Sequence, residues 1–347
     1  NSNECLRGIS KKNQIQFLYN ATKFFLENDL FKSKDFIELL NKFSNFSVEI
    51  YFPSSEFDES YEIISQVQKT KLNKMKILVP LCENAYKNNL SLSQTSIPSI
   101  ITSIQNSAFE QCKNMTEITI PSSVTSFGDK AFYDCKSLKK ISISSSVVSI
   151  GDRAFYDCSS LTQLTVPSSV KLIGNSAFTM CTNIVNIYLL AQITKLSEDV
   201  FSGCFKLIEM KIPSTVKEIG RLAFKECSKL EKVTIPSSVT SIGYWAFQGC
   251  SSLKQINFPS SVVFIDDGAF YGCRSLTQVA IPSSLKEINY DVFSDCISLS
   301  QVIIPSSITK IAKDAFRSCK SLVQIKIPSS ACIIEENAFP PTTKVIR

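Results

Sequence analysis

The chain has 347 residues, of which 44% are hydrophobic and 20% charged, a balance typical of globular proteins that excludes a wholly disordered chain. Its net charge of +6 lacks the concentrated basic region expected of a dedicated nucleic-acid binder. The sequence contains no histidine, which excludes Ser-His-Asp and Cys-His catalysis and histidine-ligated zinc. We therefore expect a non-enzymatic protein with no catalytic residue, no cofactor and no metal site. No apolar run approaches the roughly 20 residues of a membrane-spanning helix.

Residues 1–89 are predicted to form a small, mainly α-helical domain. Apolar residues at helical spacing predict four helices, over Gln14–Leu26, Asp35–Phe43, Tyr61–Val67 and Met75–Tyr86. Ser47–Phe52 is predicted to be a short strand, which Pro53 ends. The segment does not share the repeat that follows it. Because a stack of repeats exposes an apolar end, the simplest role of this domain is to cap the first repeat.

Residues 90–347 follow one repeat of 23 residues, in about eleven units. An apolar residue followed by phenylalanine recurs without an insertion, at Phe109, Phe132, Phe155, Phe178, Phe201, Phe224, Phe247, Phe270, Phe293, Phe316 and Phe339. A cysteine stands three residues after each of the first ten, from Cys112 to Cys319. One unit buries only one side of itself, so its stability depends on the neighbours on which it stacks.

The unit from Ile235 to Phe258 shows the internal pattern of a repeat. The spacing of Leu253, Ile256 and Phe258 ends in the alternation of a short strand, and the proline that follows ends that strand. Pro-Ser-Ser then predicts a turn, and a glycine such as Gly243 marks a second bend. Stacking of such units predicts a right-handed solenoid with a parallel sheet along one face and strands about 4.8 Å apart.

These residues resemble the leucine-rich repeats of the BspA-like class, whose units are similar to I-P-x-S-V-x-x-I-G-x-x-A-F-x-x-C-x-x-L-x-x-I-x-I. The resemblance covers residues 90–347 and implies a horseshoe of the α/β type. It also implies a curved, non-enzymatic scaffold, in a family associated with adhesion and surface display in bacteria and with expansions in protozoa.

Three units depart from this pattern. Leu189–Ser197 lacks both the Pro-Ser-Ser turn and the glycine, so the turn there should have a different shape. Ser144 stands where a proline is usual. In the last unit, Phe339 is followed by two prolines and no cysteine, which predicts a terminating cap over residues 339–347.

Residues 30–88 show a second resemblance, to the second half of a BTB/POZ domain. It is carried, in order, by D-F-I-E-L-L, V-E-I-Y-F, Y-E-I-I-S-Q-V-Q and I-L-V-P-L-C-E-N-A-Y. This resemblance implies an intracellular protein with a module for self-association or for recruiting an adaptor.

The ten regularly spaced cysteines admit three interpretations. Zinc ligands would be clustered, as in C-x2-C, and no such pair occurs. Neighbouring cysteines would lie about 5 Å apart, within the range of a disulfide, but on identical backbones their side chains should run parallel. We predict buried free thiols in a small apolar slot, with disulfides and metal ligation as the alternatives. So many free thiols favour a reducing compartment.

Two surfaces are candidates for partner binding. The first consists of outward positions on the predicted strands: Tyr188, Lys211, Lys232, Gln255, Asn257, Gln278, Gln301, Ile303, Gln324 and Lys326. Its four glutamines stand in one column and are predicted to form an amide ladder, whose simplest role is to stabilise a solvated sheet. The second consists of Tyr244 and Trp245, where sister repeats carry charged pairs, and is predicted to be an exposed patch on the opposite side.

The expected function is that of a protein–protein interaction scaffold or structural component, cytoplasmic or associated with the cytoskeleton. We expect a protein partner, no nucleic acid and no membrane span. The alternative is a secreted or surface-attached adhesin that recognises a host protein or glycan on the same scaffold. Four N-x-[ST] sequons, at Asn20, Asn45, Asn89 and Asn114, are about as many as chance gives and do not decide between the two.

Overall fold

The computed structural model of the chain describes residues 48–49, 77–81, 83–97, 99, 101–328 and 332–347. Most of the segment that resembles a BTB/POZ domain lies outside these ranges, as do three predicted helices, Gln14–Leu26, Asp35–Phe43 and Tyr61–Val67. Of the predicted strand Ser47–Phe52, the described residues Val48–Glu49 form a strand. No helix that is long and apolar enough to cross a bilayer occurs in the described ranges.

The described residues form twenty-five short strands, none longer than five residues. They are β1 (Val48–Glu49), β2 (Ile77–Leu81), β3 (Gln94–Ser96), β4 (Ile101–Ile104), β5 (Glu117–Thr119), β6 (Ser126–Phe127), β7 (Lys140–Ile141), β8 (Ser149–Ile150), β9 (Gln163–Val166), β10 (Leu172–Ile173), β11 (Asn186–Leu189), β12 (Lys195–Leu196), β13 (Glu209–Lys211), β14 (Glu218–Ile219), β15 (Lys232–Thr234), β16 (Ser241–Ile242), β17 (Gln255–Ile256), β18 (Phe264–Ile265), β19 (Gln278–Ala280), β20 (Glu287–Ile288), β21 (Gln301–Ile303), β22 (Lys310–Ile311), β23 (Gln324–Lys326), β24 (Ile333–Ile334) and β25 (Lys344–Ile346).

The strands form two sets, in each of which most strands pair in parallel with the equivalent strand of the next repeat. The pairing is interrupted between β7 and β9, β15 and β17, and β21 and β23 in one set, and between β10 and β12 and β18 and β20 in the other. The first set, the long-strand ladder, contains the odd-numbered strands from β3 to β25, with registers such as Gln163 opposite Asn186. The second, the short-strand ladder, contains β1, β2 and the even-numbered strands from β4 to β24, with registers such as Ser126 opposite Ser149. The predicted solenoid with a parallel sheet is confirmed, and the second ladder is an addition that the sequence analysis did not predict.

The part of each repeat that follows a short strand and precedes the next long strand, such as residues 128–139, is here called the turn side. It consists of turns in the described repeats and contains no helix. Two residues in most repeats have a left-handed backbone, as Lys130 (φ 55°) and Asp134 (φ 59°) do on either side of Phe132. Such residues interrupt a right-handed helix, so the prediction of an α/β-type horseshoe is wrong on this point. The turns are linked between repeats instead, since the N–H of Phe132 donates to the carbonyl of Ala154 at 2.7 Å.

The helix predicted over Met75–Tyr86 is also wrong. Residues Ile77–Leu81 form β2, which pairs with β4, and turns follow it. The Tyr86 ring stacks on Phe109 with centroids 5.2 Å apart. Tyr86 stands 23 residues before Phe109, so it takes the place that phenylalanine has in the later repeats. The spacing of the apolar residues in this segment fits a first, degenerate repeat as well as it fits a helix. Because this repeat has a tyrosine in place of the phenylalanine, the 23-residue pattern of phenylalanines does not reveal it.

The core is a column of stacked phenylalanines that runs through all the described repeats. From Phe109 to Phe316 the side chains are fully buried, and successive ring centroids are 5.1–5.7 Å apart. The last ring, Phe339, stacks on Phe316 at 5.3 Å and is half-buried. Offset stacking of this kind adds to the burial of apolar area, so each repeat is held mainly by its two neighbours.

The irregular unit Leu189–Ser197 has the different turn that its sequence predicts. In ordinary units the N–H of a valine bonds the carbonyl of the proline three residues earlier, as Val170 bonds Pro167 at 3.1 Å. Here Gln192 instead bonds the carbonyl of Val170 in the preceding repeat at 2.9 Å. The short-strand ladder is interrupted at the same place, because β10 and β12 belong to different sheets.

Candidate interaction surfaces

The outward side chains of the long-strand ladder form one continuous surface, here called the strand face. Most long strands of three or more residues bury a central residue and expose those beside it: in β19, Val279 is buried while Gln278 and Ala280 are exposed. All ten residues predicted for this surface are exposed and lie on it: Tyr188, Lys211, Lys232, Gln255, Asn257, Gln278, Gln301, Ile303, Gln324 and Lys326. The fixed register therefore brings them together.

The glutamine column does not form the predicted amide ladder. Gln255, Gln278 and Gln301 occupy equivalent positions on β17, β19 and β21. No side-chain hydrogen bond joins these amides to each other or to Gln324 in the described part of the chain, so that prediction is wrong. At exposed positions water competes for each amide, and the net gain from an amide–amide bond is small. The amides are left with their donors and acceptors open to a partner.

The strand face divides into two parts by charge. In the first, an ion pair joins β13 and β15, since Lys232 lies 3.2 Å from Glu209, and another joins the residues just before β15 and β17, since Lys254 lies 2.6 Å from Glu231. In the second, from Gln255 to Gln324, the outward positions carry amides and aliphatic groups and no charged group. We call this second part the neutral strand face, because a partner can cover it without separating ion pairs.

Tyr244 and Trp245 lie on the turn side and are half-buried rather than fully exposed. Their rings stack on each other with centroids 4.9 Å apart, and cationic groups cover them: Arg221 lies 5.4 Å from Tyr244, and Lys225 lies 5.6 Å from Trp245. The indole also packs on Gly268, where an added Cβ would meet it at 2.3 Å. These contacts explain why two large aromatics are tolerated at a position that is usually polar.

The ten regularly spaced cysteines are free and fully buried, as predicted. From Cys135 to Cys319, each Sγ donates to the carbonyl of the phenylalanine 26 residues earlier, beginning with Cys135 to Phe109 at 3.0 Å. Burial raises the pKa of Cys112 to about 11 and of Cys319 to about 12, and raises the pKa of the thiols between them as well. Buried protonated thiols react slowly with oxidants, so their number carries no information about the compartment.

The turn side also carries a groove that the sequence analysis did not predict. It is lined by Tyr133, Tyr156, Phe205 and residues between them, and its volume is about 480 Å³. Its residues lie in columns that vary from repeat to repeat, where periodicity gives no signal. A change from large to small residues along one column is the sequence feature that marks it.

Comparison with known protein families gives one match. The model of the BspA type leucine rich repeat region, in 6 copies, matches residues 79–208 and 217–346. The match begins before residue 90, in agreement with the early position of β2. No curated protein matches the chain.

Solved structures with leucine-rich repeats are similar to this one. A leucine-rich repeat protein from Bacteroides ovatus is 29% identical, with a TM-score of 0.64 over 78% of each chain. A leucine rich cell surface protein from Faecalibacterium prausnitzii is 28% identical, with a TM-score of 0.45, over 73% of this chain and 87% of that one. The pneumococcal vaccine antigen PcpA is 24% identical, with a TM-score of 0.50 over 73% of each chain, a likeness of fold alone.

Proposed function

Because the chain belongs to the BspA type leucine-rich repeat family, we propose that it is a non-enzymatic interaction protein, displayed on a cell surface or secreted, that binds a protein partner through its strand face. The observation that carries this proposal is the continuous exposed face in fixed register, from Tyr188 to Lys326. Leucine-rich repeat folds generally act as scaffolds, which agrees with the absence of histidine from the sequence.

The mechanism of binding is geometric. Parallel pairing and the stacked phenylalanines hold the backbone of each repeat before any partner arrives. The strand face therefore loses little conformational entropy on association, whereas a flexible surface would have to become ordered. Many weak contacts, each at a spacing of about 4.8 Å, then add up along the axis.

The neutral strand face is the part that best suits a protein partner. Its amides at Gln278 and Gln301 have no side-chain partners among the described residues, and Ile303 is 57% exposed beside them. Exposed aliphatic area together with open hydrogen-bonding groups and no carboxylate is the composition of an interface core rather than of its rim. The ion-paired part of the strand face corresponds to such a rim.

Surface display or secretion is the alternative of the sequence analysis, and we now prefer it to a cytoplasmic location. The cytoplasmic expectation depended on the thiols and on the BTB/POZ-like segment. The thiols are buried and protonated, and the segment lies mostly outside the described residues. The family association with adhesion and surface display is what remains to support a location.

The test is binding of the purified chain to a panel of immobilised extracellular-matrix proteins and to intact epithelial cells. The double variant Gln278→Lys with Gln301→Lys places two adjacent charges on the neutral strand face and should abolish binding while the melting temperature stays constant. Gln163→Lys, in the same column but outside the neutral part, is the matched control and should bind as the wild type does. Equal binding by all three proteins would refute the assignment to this face.

A further inference from the structure

The groove on the turn side has a volume of about 480 Å³, within the roughly 300–1,000 Å³ typical of small-ligand pockets. It exists because the column that follows the phenylalanines by one residue changes in size along the axis. Tyr133 and Tyr156 are followed by Thr179 and Ser202, and Lys225 comes next. The two small residues leave unfilled the space that a tyrosine ring occupies in the preceding repeats.

One wall of the groove is a pair of stacked tyrosines. The rings of Tyr133 and Tyr156 are parallel to within 11°, with centroids 5.0 Å apart. Since equivalent residues follow one another along the axis, the other face of Tyr156 is directed to the position of Thr179, where no ring stands. An aromatic face of this kind attracts the C–H groups of a ring laid against it.

The opposite wall consists of charged groups that are held in place. The ammonium group of Lys225 lies 5.6 Å from the centroid of the Trp245 ring, and Glu226 accepts a hydrogen bond from Gln248 at 2.9 Å. Gly203 lines the groove beside them with φ at 71°, and an added Cβ there would meet the sulfur of Met180 at 2.5 Å. A side chain in place of Gly203 would therefore disturb this wall.

Apart from Met180 and Phe205, the rest of the lining is polar, and its charges balance. Arg153 and Lys225 are matched by Asp199 and Glu226. The Ser202 hydroxyl donates a hydrogen bond to the Asp199 carboxylate. Burial and the neighbouring carboxylate of Glu198 raise the pKa of Asp199. A charged ligand gains nothing from a balanced lining. Because partly buried carboxylates and hydroxyls need hydrogen-bond partners when water leaves, the lining favours a neutral ligand rich in hydroxyl groups.

We propose that this groove binds a pyranose ring of a neutral glycan. The apolar face of the sugar stacks on Tyr156, and its hydroxyls exchange hydrogen bonds with Asp199 and Ser202. A planar apolar ring would cover the same tyrosine but would remove water from these polar groups without replacing its hydrogen bonds. The site is separate from the strand face and adds a second ligand class to the proposed function, on which its biological meaning rests.

The experiment is binding of neutral oligosaccharides of glucose, mannose, galactose and N-acetylglucosamine to the purified full chain, by saturation-transfer NMR and calorimetry. At least one of these sugars should bind, and Tyr156→Ala should weaken it about tenfold. Thr179→Tyr fills the groove with the residue that the column already carries at Tyr156, and should weaken binding at least as much. Glu110→Tyr extends the tyrosine stack on the side away from the groove and is the matched control with unchanged affinity.

Melting temperatures separate loss of the site from loss of the fold, and Ser202→Tyr replaces Thr179→Tyr if the latter unfolds. The proposal is overturned if no sugar binds, if N-acetyltyrosine amide binds where every sugar fails, or if the groove-filling variants retain the affinity of the wild type. None of these variants changes the strand face, so protein binding there survives failure of the glycan site, and the reverse also holds.

Discussion

The phenylalanine column and the column that follows it by one residue are adjacent along the whole solenoid, yet they differ in nearly every respect. The first is uniform and fully buried from Phe109 to Phe316. The second reads Glu110, Tyr133, Tyr156, Thr179, Ser202, Lys225, Gln248, Tyr271, Ser294 and Arg317. Uniformity lets every repeat stack on the next, whereas the second column lies at the surface except at Glu110, Thr179 and Ser294, and its variation makes one stretch of that surface unlike another. Stability and recognition are thus assigned to neighbouring residues of the same repeat.

The largest difference between changes in the interior and changes at the surface is expected in the stability of the protein at alkaline pH. Burial raises the pKa of the column thiols from the ordinary value of 9.0, as far as about 11 in Cys112 and further in the others. Below about pH 9 the stability from this shift is fully present; above it the unfolded chain releases protons that the folded chain keeps, so stability falls as pH rises. Each thiol removes about 1.4 kcal/mol per pH unit, and ten act together.

Urea denaturation between pH 7 and pH 10.5 measures this effect. The urea concentration at the midpoint should fall steeply above pH 9. Cys250→Ala should reduce the slope of this fall by the contribution of one thiol. A surface variant in the neighbouring column, Gln248→Ala, should leave the slope unchanged. A midpoint that stays constant up to pH 10 would show that the thiols are not buried as the structure has them.

The next largest difference is expected in the free energy of unfolding, when a side chain is truncated in one column or in the other. Phe247→Ala opens a cavity between two stacked rings and should lower the free energy of unfolding by about 3–5 kcal/mol. Gln248→Ala, one residue along, removes a single hydrogen bond to Glu226 and should lower it by about 1 kcal/mol or less. Equal losses in chemical denaturation would contradict the division of roles.

A smaller difference is expected between two glycines of the turn side. Gly268 and Gly272 both have a left-handed backbone, with φ of 59° and 70°. An added Cβ meets the Trp245 indole at 2.3 Å from Gly268, but no atom closer than 3.8 Å from Gly272. Gly272→Ala should therefore lower stability by about 1 kcal/mol, from backbone strain alone, and Gly268→Ala by more.

Tryptophan fluorescence makes this comparison specific, because the chain has one tryptophan. Gly268→Ala should displace the indole and shift its emission to the red, whereas Gly272→Ala should leave the spectrum unchanged. Identical spectra in the two variants would mean that Trp245 does not pack on Gly268.

The smallest effect is expected on the strand face itself. Glu209 and Lys232 are 3.2 Å apart, and both side chains are more than half exposed. Glu209→Gln should change the free energy of unfolding by less than about 1 kcal/mol, and the difference should vanish in 1 M salt. A salt-independent loss larger than this would show that surface pairs, and not only the interior columns, hold the repeats together.

The sequence predicts whatever recurs. The repeat length, the long strands, the burial of Phe247 and Cys250 and the altered turn at Leu189–Ser197 all follow from periodicity or from its interruption. The outward positions of the long strands follow too, because side chains alternate across a strand.

What does not recur, or is too short to leave a pattern, could not be predicted. A two-residue strand such as Ser241–Ile242 shows no alternation, which is why the short-strand ladder was missed. Left-handed residues such as Lys130 and Asp134 are not glycines, so the sequence gives little warning of the turns that replace helices. The amides of Gln278 and Gln301 could reach one another, but competition with water decides that they do not. The groove depends on two small residues in a variable column.

Protease treatment of intact cells that produce the protein tests the central claim, display on the outside, most directly. Proteinase K added to such cells should degrade the chain to the same extent as it degrades the chain after lysis, or the chain should be found intact in the medium. Complete protection in intact cells, together with degradation after lysis, would place the protein inside the cell and contradict the proposed function.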